Sequence, residues 1–308
     1  MTRPYRPARR ALLGAGAALV LRPVAAAEPA QGREALRKPI PSSGELLPVI
    51  GLGTWITFNV GADPAARAGR TEVVRAFFDE GGGMIDSSPM YGSSQAVLGD
   101  ALARLGHPPG LFAADKVWTA SAARGPVQVE ASRALWGVPR FDLLQVHNML
   151  AWEAQLELLQ VMKADGRLRY VGITTSEGRR HREVEAVMAA HRIDFVQVSY
   201  NLLDREVEQR ILPLARERGI AVIANRPFRQ GALLQALARH PLPGWAAGIG
   251  CAHWAQVALK FVVSHPNVSC AIPATSRVEH LRQNMAAGRG AMPDAALRRR
   301  MAAEVQAL

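Results

Sequence analysis

Four ionisable side chains stand where a reactive carbonyl could be handled. One apolar run ends in Ile85-Asp86-Ser87-Ser88, and Tyr91 follows five residues past the acid. The next run ends in Ala114-Asp115-Lys116, and the one after it in Gln145-Val146-His147. Charges placed at the ends of apolar segments are costly unless they pair with each other. Taken singly, each has an ordinary explanation: an Asp there caps the next turn, a Lys is solvated, and a His is a satisfied core residue. Together with a phenol they form an acid–base set. A phenol ionises at about pH 10, and a nearby ammonium lowers that value toward a useful range. A carboxylate keeps the ammonium charged and in place, while an imidazole can orient a carbonyl oxygen or assist its proton transfer. The chemistry is addition to, or removal from, a carbonyl carbon, with the oxygen charge neutralised as it develops.

Such a set needs strands that end side by side. From Val49 onward the chain alternates short apolar runs with amphipathic stretches. Strands are predicted over 49–55, 84–87, 111–117, 141–147, 170–174, 195–200, 221–225 and 268–272. Helical spacing of apolar residues predicts helices over 71–80, 151–164, 205–218, 252–263 and 294–308. Strands apolar on both faces, with a helix between each pair, imply a parallel sheet, and eight such units close into a barrel. Lys38–Pro48, with Pro-Ser-Ser-Gly at its centre, predicts a hairpin that caps the barrel floor. The fold class is α/β, a single (β/α)8 TIM barrel with an N-terminal β-hairpin cap. The longest interval, 226–267, lies between strands seven and eight, and loops of that length on a barrel usually build the site.

The motif 85–92, Lys116-Val117-Trp118 and 144–147 resemble the aldo-keto reductase signature. Gly51-Leu52-Gly53-Thr54-Trp55, Gln197 with Tyr200-Asn201, and Ile272-Pro273-Ala274-Thr275-Ser276 continue it in the same order, so the resemblance spans roughly residues 38–288. The resemblance implies that Tyr91 is the general acid in reduction, that Lys116 and Asp86 tune it, and that His147 positions the substrate carbonyl. It also implies a nicotinamide cofactor lying extended across the strand ends, with no Rossmann domain. Accordingly, no G-x-G-x-x-G opens a helix after the first thirty residues. By the same resemblance Gly53, Thr54 and Trp55 border the cofactor, and Thr174, Thr175 and Gln197 meet its carboxamide. Asn225 and Arg226 flank the ring or pyrophosphate, and Thr275, Ser276, Arg277 and Asn284 flank the adenosine phosphate. Many relatives have Ser-Asn at 174–175, a stacking aromatic at 225 and Lys at 274, where this chain has Thr-Thr, Asn and Ala. NADP(H) is expected over NAD(H), because the Arg277 guanidinium, with His280 nearby, suits a 2′-phosphate. Trp55, Trp118, Met149 and Trp152 are expected to wall a pocket for a small aldehyde or ketone.

Composition narrows the rest. Of 308 residues, 49% are apolar and 20% charged, the balance of a globular chain with a sizeable core. The net charge of +11 invites a nucleic-acid reading. Five of its arginines precede Glu28, and no basic stripe interleaved with stacking aromatics follows, so none is expected. Arg9-Arg10, the apolar run 11–21 and Ala25-Ala26-Ala27 form the layout of a secretory leader of twin-arginine type. Residues 1–27 are therefore expected to be a signal peptide that engages the twin-arginine export machinery. Residues 28–308 form the barrel domain, and no stable membrane insertion follows cleavage. The protein is periplasmic on that reading, and cytoplasmic if the leader does not function. Cys251 and Cys270 are too few for a disulfide framework or metal cluster; the apolar run around Cys270 predicts a buried free thiol, with a bridge between the two as the alternative in an oxidising compartment. No metal site is expected. Two other classes remain: a cofactor-binding sensor or partner protein with little turnover, and a barrel isomerase or lyase that binds no nicotinamide.

Overall fold

A hairpin and eight parallel strands order the chain. In the computed structural model, which describes residues 1–2 and 34–308, β1 (Arg37–Pro39) pairs antiparallel with β2 (Leu46–Pro48). The barrel strands are β3 (Leu52–Gly53), β4 (Met84–Asp86), β5 (Phe112–Val117), β6 (Phe141–Val146), β7 (Leu168–Thr174), β8 (Phe195–Ser199), β9 (Ala221–Asn225) and β10 (Cys270–Ala271). Each pairs in parallel with the next in chain order. Ring closure runs through bridges from Ile50 to Ala271 and from Gly53 to Ala274. The backbones come close here: a Cβ on Gly53 would stand 2.7 Å from the Ile272 carbonyl oxygen. Only glycine permits that approach. The expected leader lies outside the described residues.

Helices α1 (Pro64–Asp79), α2 (Ser94–Arg104), α3 (Gly125–Trp136), α4 (Trp152–Ala164), α5 (His181–Ala190) and α6 (Ile211–Arg218) follow β3 to β8 in turn. The long interval holds α7 (Ala232–Leu237) and α8 (Trp254–Val263), and α9 (Val278–Ala286) and α10 (Ala295–Gln306) end the chain. The barrel with a hairpin floor is as expected. Several boundaries differ. Helix α1 begins seven residues before position 71, because Asp63 caps it by accepting from the Ala65 and Ala66 amides and Pro64 suits its first turn. The single helix expected over 205–218 is a short 3-10 turn, Glu206–Glu208, followed by α6. Pro213 explains the break, since its ring tolerates a first helical turn but not an interior. The first and last barrel strands are shorter than expected, with only two paired residues each.

Side chains point into the barrel at every second residue. At the floor the inward positions are Met84, Phe112, Leu143, Tyr170, Phe195, Ala221 and Cys270, and Ile40 and Leu47 of the hairpin plug them from below. Higher on the same strands the inward positions turn polar: Asp86, Lys116, Gln145, Thr174, Gln197 and Asn225. A second, larger apolar cluster lies between strands and helices. Both cysteines are free and buried.

Candidate active site

The polar layer of the lumen is one connected network. Lys116 is wholly buried, and its ammonium donates to Asp86 Oδ2 at 2.5 Å and to the Ser87 carbonyl at 2.8 Å. The other Asp86 oxygen accepts from Gln197 Nε2 at 2.9 Å and from Gln145 Nε2 at 3.3 Å. An ion pair removed from water persists only when its remaining valences are also met, and here both carboxylate oxygens are engaged. Strand alternation sorts the two neighbours Asp115 and Lys116. Lys116 faces inward, while Asp115 faces the helix layer, where Gln95 Nε2 donates to it at 2.7 Å.

Tyr91 stands on the loop after β4, its ring centroid 5.2 Å from the Lys116 Nζ. His147 directly follows β6 and meets that ring edge-on, with centroids 5.7 Å apart. Sequence spacing therefore brings together all four expected residues. One expectation is reversed. Burial raises the Tyr91 pKa, Lys116 pulls it down and Asp86 pushes it up, and the net direction is upward. The ammonium is held 2.5 Å from a carboxylate, so the phenol feels an ion pair more than a free cation. For Lys116, burial disfavours the charge, but Asp86 and Tyr91 outweigh it and raise its pKa. Burial, with Lys116 adding to it, pushes the His147 imidazole down to about 2, so the ring is neutral at any working pH. Tyr91 can thus give a proton near neutral pH, while a neutral imidazole holds the oxygen that receives it.

Tyr91 and His147 line a cavity of about 630 Å³, with Trp55, Ile56, Met90 and Asn148. Asp86, Gly53, Thr54, Thr174, Gln197, Asn225 and Arg226 continue its wall, with Ala274, Thr275, His280, Gln283 and Asn284. The long interval contributes Pro227, Phe228, Gln230, Gly231, Leu234 and Ala255. A cavity of that volume, with many hydrogen-bonding side chains in its wall, suits a dinucleotide. Two details differ from the sequence reading of that fit. Both recorded partners of the Gln197 amide nitrogen, Asp86 and Gln145, lie inside the barrel. Asn225, in the position of a stacking ring, instead donates to the Thr175 carbonyl at 3.0 Å and accepts from Ser199 Oγ at 2.7 Å.

Other expected residues lie off the cavity. Met149 is fully buried in the outer core, because Asn148 and Met149 are both left-handed and the turn presents Asn148 instead. Trp152 packs edge-on against His191, 5.3 Å between centroids. Trp118 is 40% exposed away from the wall. Its backbone is clamped by Gln128, which accepts from its amide at 2.6 Å. Of the four expected pocket residues only Trp55 faces the cavity. Thr175 turns its hydroxyl to the Arg179 carbonyl at 2.7 Å. Ser276 and Arg277 lie beyond the lining, and Arg277 pairs with Glu279 at 3.2 Å. Sequence reading missed Gln145, Ser88, Glu177 and Arg179. Gln145 was legible from its parity with His147. Glu177, which pairs with Arg226 at 2.8 Å, occupies a loop whose shape no local pattern sets.

Ten described non-glycine residues have a left-handed backbone, and nine stand in loops at the cavity end of the barrel. Ile56, a β-branched residue at φ 62°, is the least favourable of them. Only His107 lies elsewhere, after α2.

Residues 49–299 match the model of the Aldo/keto reductase family. The chain is 28% identical over 256 residues to methylglyoxal reductase YeaE of Escherichia coli K12, covering 81% of this chain and 89% of that protein. An NADH-specific methylglyoxal reductase of the same organism is 24% identical over 245 residues, 68% of this chain and 72% of its own. Among solved structures, an aldo/keto reductase from Klebsiella pneumoniae in complex with NADP and acetate superposes with a TM-score of 0.73 at 26% identity, covering 85% of this chain and 93% of that one. An aldo-keto reductase from the same organism in complex with NADPH also gives 0.73, at 25% identity, over 88% and 95% of the two chains.

Proposed function

The chain belongs to the aldo/keto reductase family, and from that premise we propose that it reduces a small aldehyde or ketone to the alcohol, or runs the reverse, with Tyr91 as general acid. The observation that carries this reading is the buried Lys116–Asp86 pair beneath Tyr91, with neutral His147 lining the same cavity. A bound nicotinamide dinucleotide supplies the hydride. Thr174, Asn225 and Arg226 would hold its nicotinamide half, and Thr275, His280 and Asn284 its adenosine half. Trp55 and Met90 exclude water beside the reacting carbon. His147 orients the carbonyl oxygen toward Tyr91, whose hydroxyl proton passes to that oxygen as charge develops on it. Lys116 then stabilises the phenolate left behind, and Asp86 keeps Lys116 charged. Fluorescence titration with NADPH and NADH, followed by turnover of methylglyoxal, tests this. Absent nucleotide binding would exclude it, and binding without turnover of any small carbonyl would favour the sensor reading.

For the cofactor, NADP(H) over NAD(H) is the proposal. Arg277 supports it: its pair with Glu279 is 63% exposed on the arginine side, and pairs so exposed hold weakly enough to yield to a phosphate. Arg277→Ala should weaken NADPH binding by about 10- to 100-fold, the scale of one or two charge-assisted hydrogen bonds, and leave NADH nearly unchanged. Equal losses for both nucleotides would move Arg277 out of the cofactor site.

The leader reading rests on the sequence alone. On it, residues 1–27 direct export of the folded, loaded barrel, and replacing Arg9 and Arg10 together by Lys should strand uncleaved protein in the cytoplasm. A general secretory signal tolerates that change, since it needs charge rather than arginine. Periplasmic, cleaved double variant after fractionation would rule out the twin-arginine route. Unaltered protein found only in the cytoplasm would rule out export. Among the described residues no helix is long and apolar enough to cross a membrane.

A further inference from the structure

Ser88 is fully buried, and its Oγ lies 2.7 Å from His147 Nδ1. The same oxygen accepts the Met90 amide at 3.1 Å. A hydroxyl has one hydrogen and two lone pairs, so these contacts restrict how the pair can be protonated. Were Nδ1 the donor, both lone pairs of Ser88 would be filled. Its own hydrogen would then be stranded in a buried place, since no second acceptor for it stands among the described residues. Leaving a buried donor unmade carries its desolvation cost uncompensated, enough to decide a tautomer. With Ser88 donating to Nδ1, the ring hydrogen sits on Nε2. That nitrogen has no hydrogen-bond partner among the described residues, and His147 lines the cavity beside Tyr91.

We propose that Ser88 is a positioning residue for carbonyl reduction: it holds His147 as the Nε2–H tautomer, so that the imidazole presents a donor rather than a lone pair to the substrate oxygen. This rests on the carbonyl-reductase reading given above. The opposite tautomer would turn a lone pair toward the carbonyl oxygen and repel it. The chain places Ser88 two residues past Asp86, on the same turn that carries Tyr91, so one short segment sets the proton donor, the base of its network and the tautomer of its neighbour.

The test is nitrogen NMR of the histidine-labelled full chain, with the His147 signals assigned by their loss in His147→Gln. The parent should show a protonated Nε2 and a bare Nδ1. Ser88→Ala should shift His147 toward a mixture of tautomers and lower kcat for reduction by about tenfold, one hydrogen bond's worth, with NADPH affinity unchanged. Ser88→Thr, which keeps a hydroxyl, should return both tautomer and rate toward the parent values. A parent ring protonated on Nδ1 would overturn the proposal. So would an Nε2–H tautomer that persists in Ser88→Ala while kcat falls, because the loss would then be structural. The tautomer is read without turnover, so it stands or falls separately from the assignment of the reaction.

Discussion

Replacing Tyr91 by phenylalanine should lower carbonyl reduction by at least about a hundredfold while nucleotide binding survives, the usual scale for losing a general acid. The change removes one hydroxyl and keeps the ring that meets His147 edge-on, so the cavity wall is preserved. Stopped-flow turnover with NADPH, beside a fluorescence titration of the same sample, separates the two effects. Near-normal turnover would exclude Tyr91 as the proton donor. The parent's pH profile is part of the same expectation. A general acid works while protonated, and the Tyr91 pKa is raised above its ordinary value, chiefly by burial. Reduction should therefore hold steady through neutral pH and fall only on the alkaline side. His147, pushed down to about 2, should add no limb near pH 6. A limb there that His147→Gln abolishes would contradict the neutral imidazole.

Lys116→Met should do two kinds of damage. It removes the cation beneath the phenol, so reduction should fall by roughly the hundredfold or more of a lost acid–base partner. It also leaves Asp86 buried without its counter-ion, held only by the Gln197 and Gln145 amides. Breaking a buried pair on one side costs about 3–5 kcal/mol. Denaturant melts of variant and parent check this, and a variant as stable as the parent would show that the pair is not what holds Asp86. The double variant Lys116→Met, Asp86→Leu should regain most of the stability and none of the rate, because an apolar pair replaces an ionic one at little cost.

The polar network of the candidate site was legible because it is written on strands. Asp86, Lys116 and His147 stand at the ends of three successive barrel strands, and the two-residue period that makes a strand also decides which way each points. Gln145 could have been read by the same rule. The rest depends on loops. Met149 and Trp152 follow a strand end just as His147 does, yet two consecutive left-handed residues turn Met149 into the outer core and leave Asn148 at the wall. Nothing in the local residue types announces that turn. The break before α6 was legible in principle from Pro213, and the early start of α1 from Asp63-Pro64. The cofactor assignments sit between these cases. Thr174, Gln197 and Asn225 are inward strand positions, whereas Thr275 to Arg277 lie on a loop, and only Thr275 of these faces the cavity.

The left-handed residues around the cavity bear on how such a chain can change over generations. Each is a place where glycine would relieve something on the order of 1 kcal/mol of local conformational cost. Random mutation followed by selection for heat resistance should therefore enrich substitutions at Ile56, Ala151 or Arg226 ahead of positions on the opposite face, where His107 alone of the described non-glycine residues is left-handed. The same loops give the cavity its shape, so variants recovered that way should bind a broader range of carbonyl compounds, each less tightly. Lineages kept at high temperature and lineages kept selective should diverge at these nine positions first, while the apolar floor of the barrel stays alike in both.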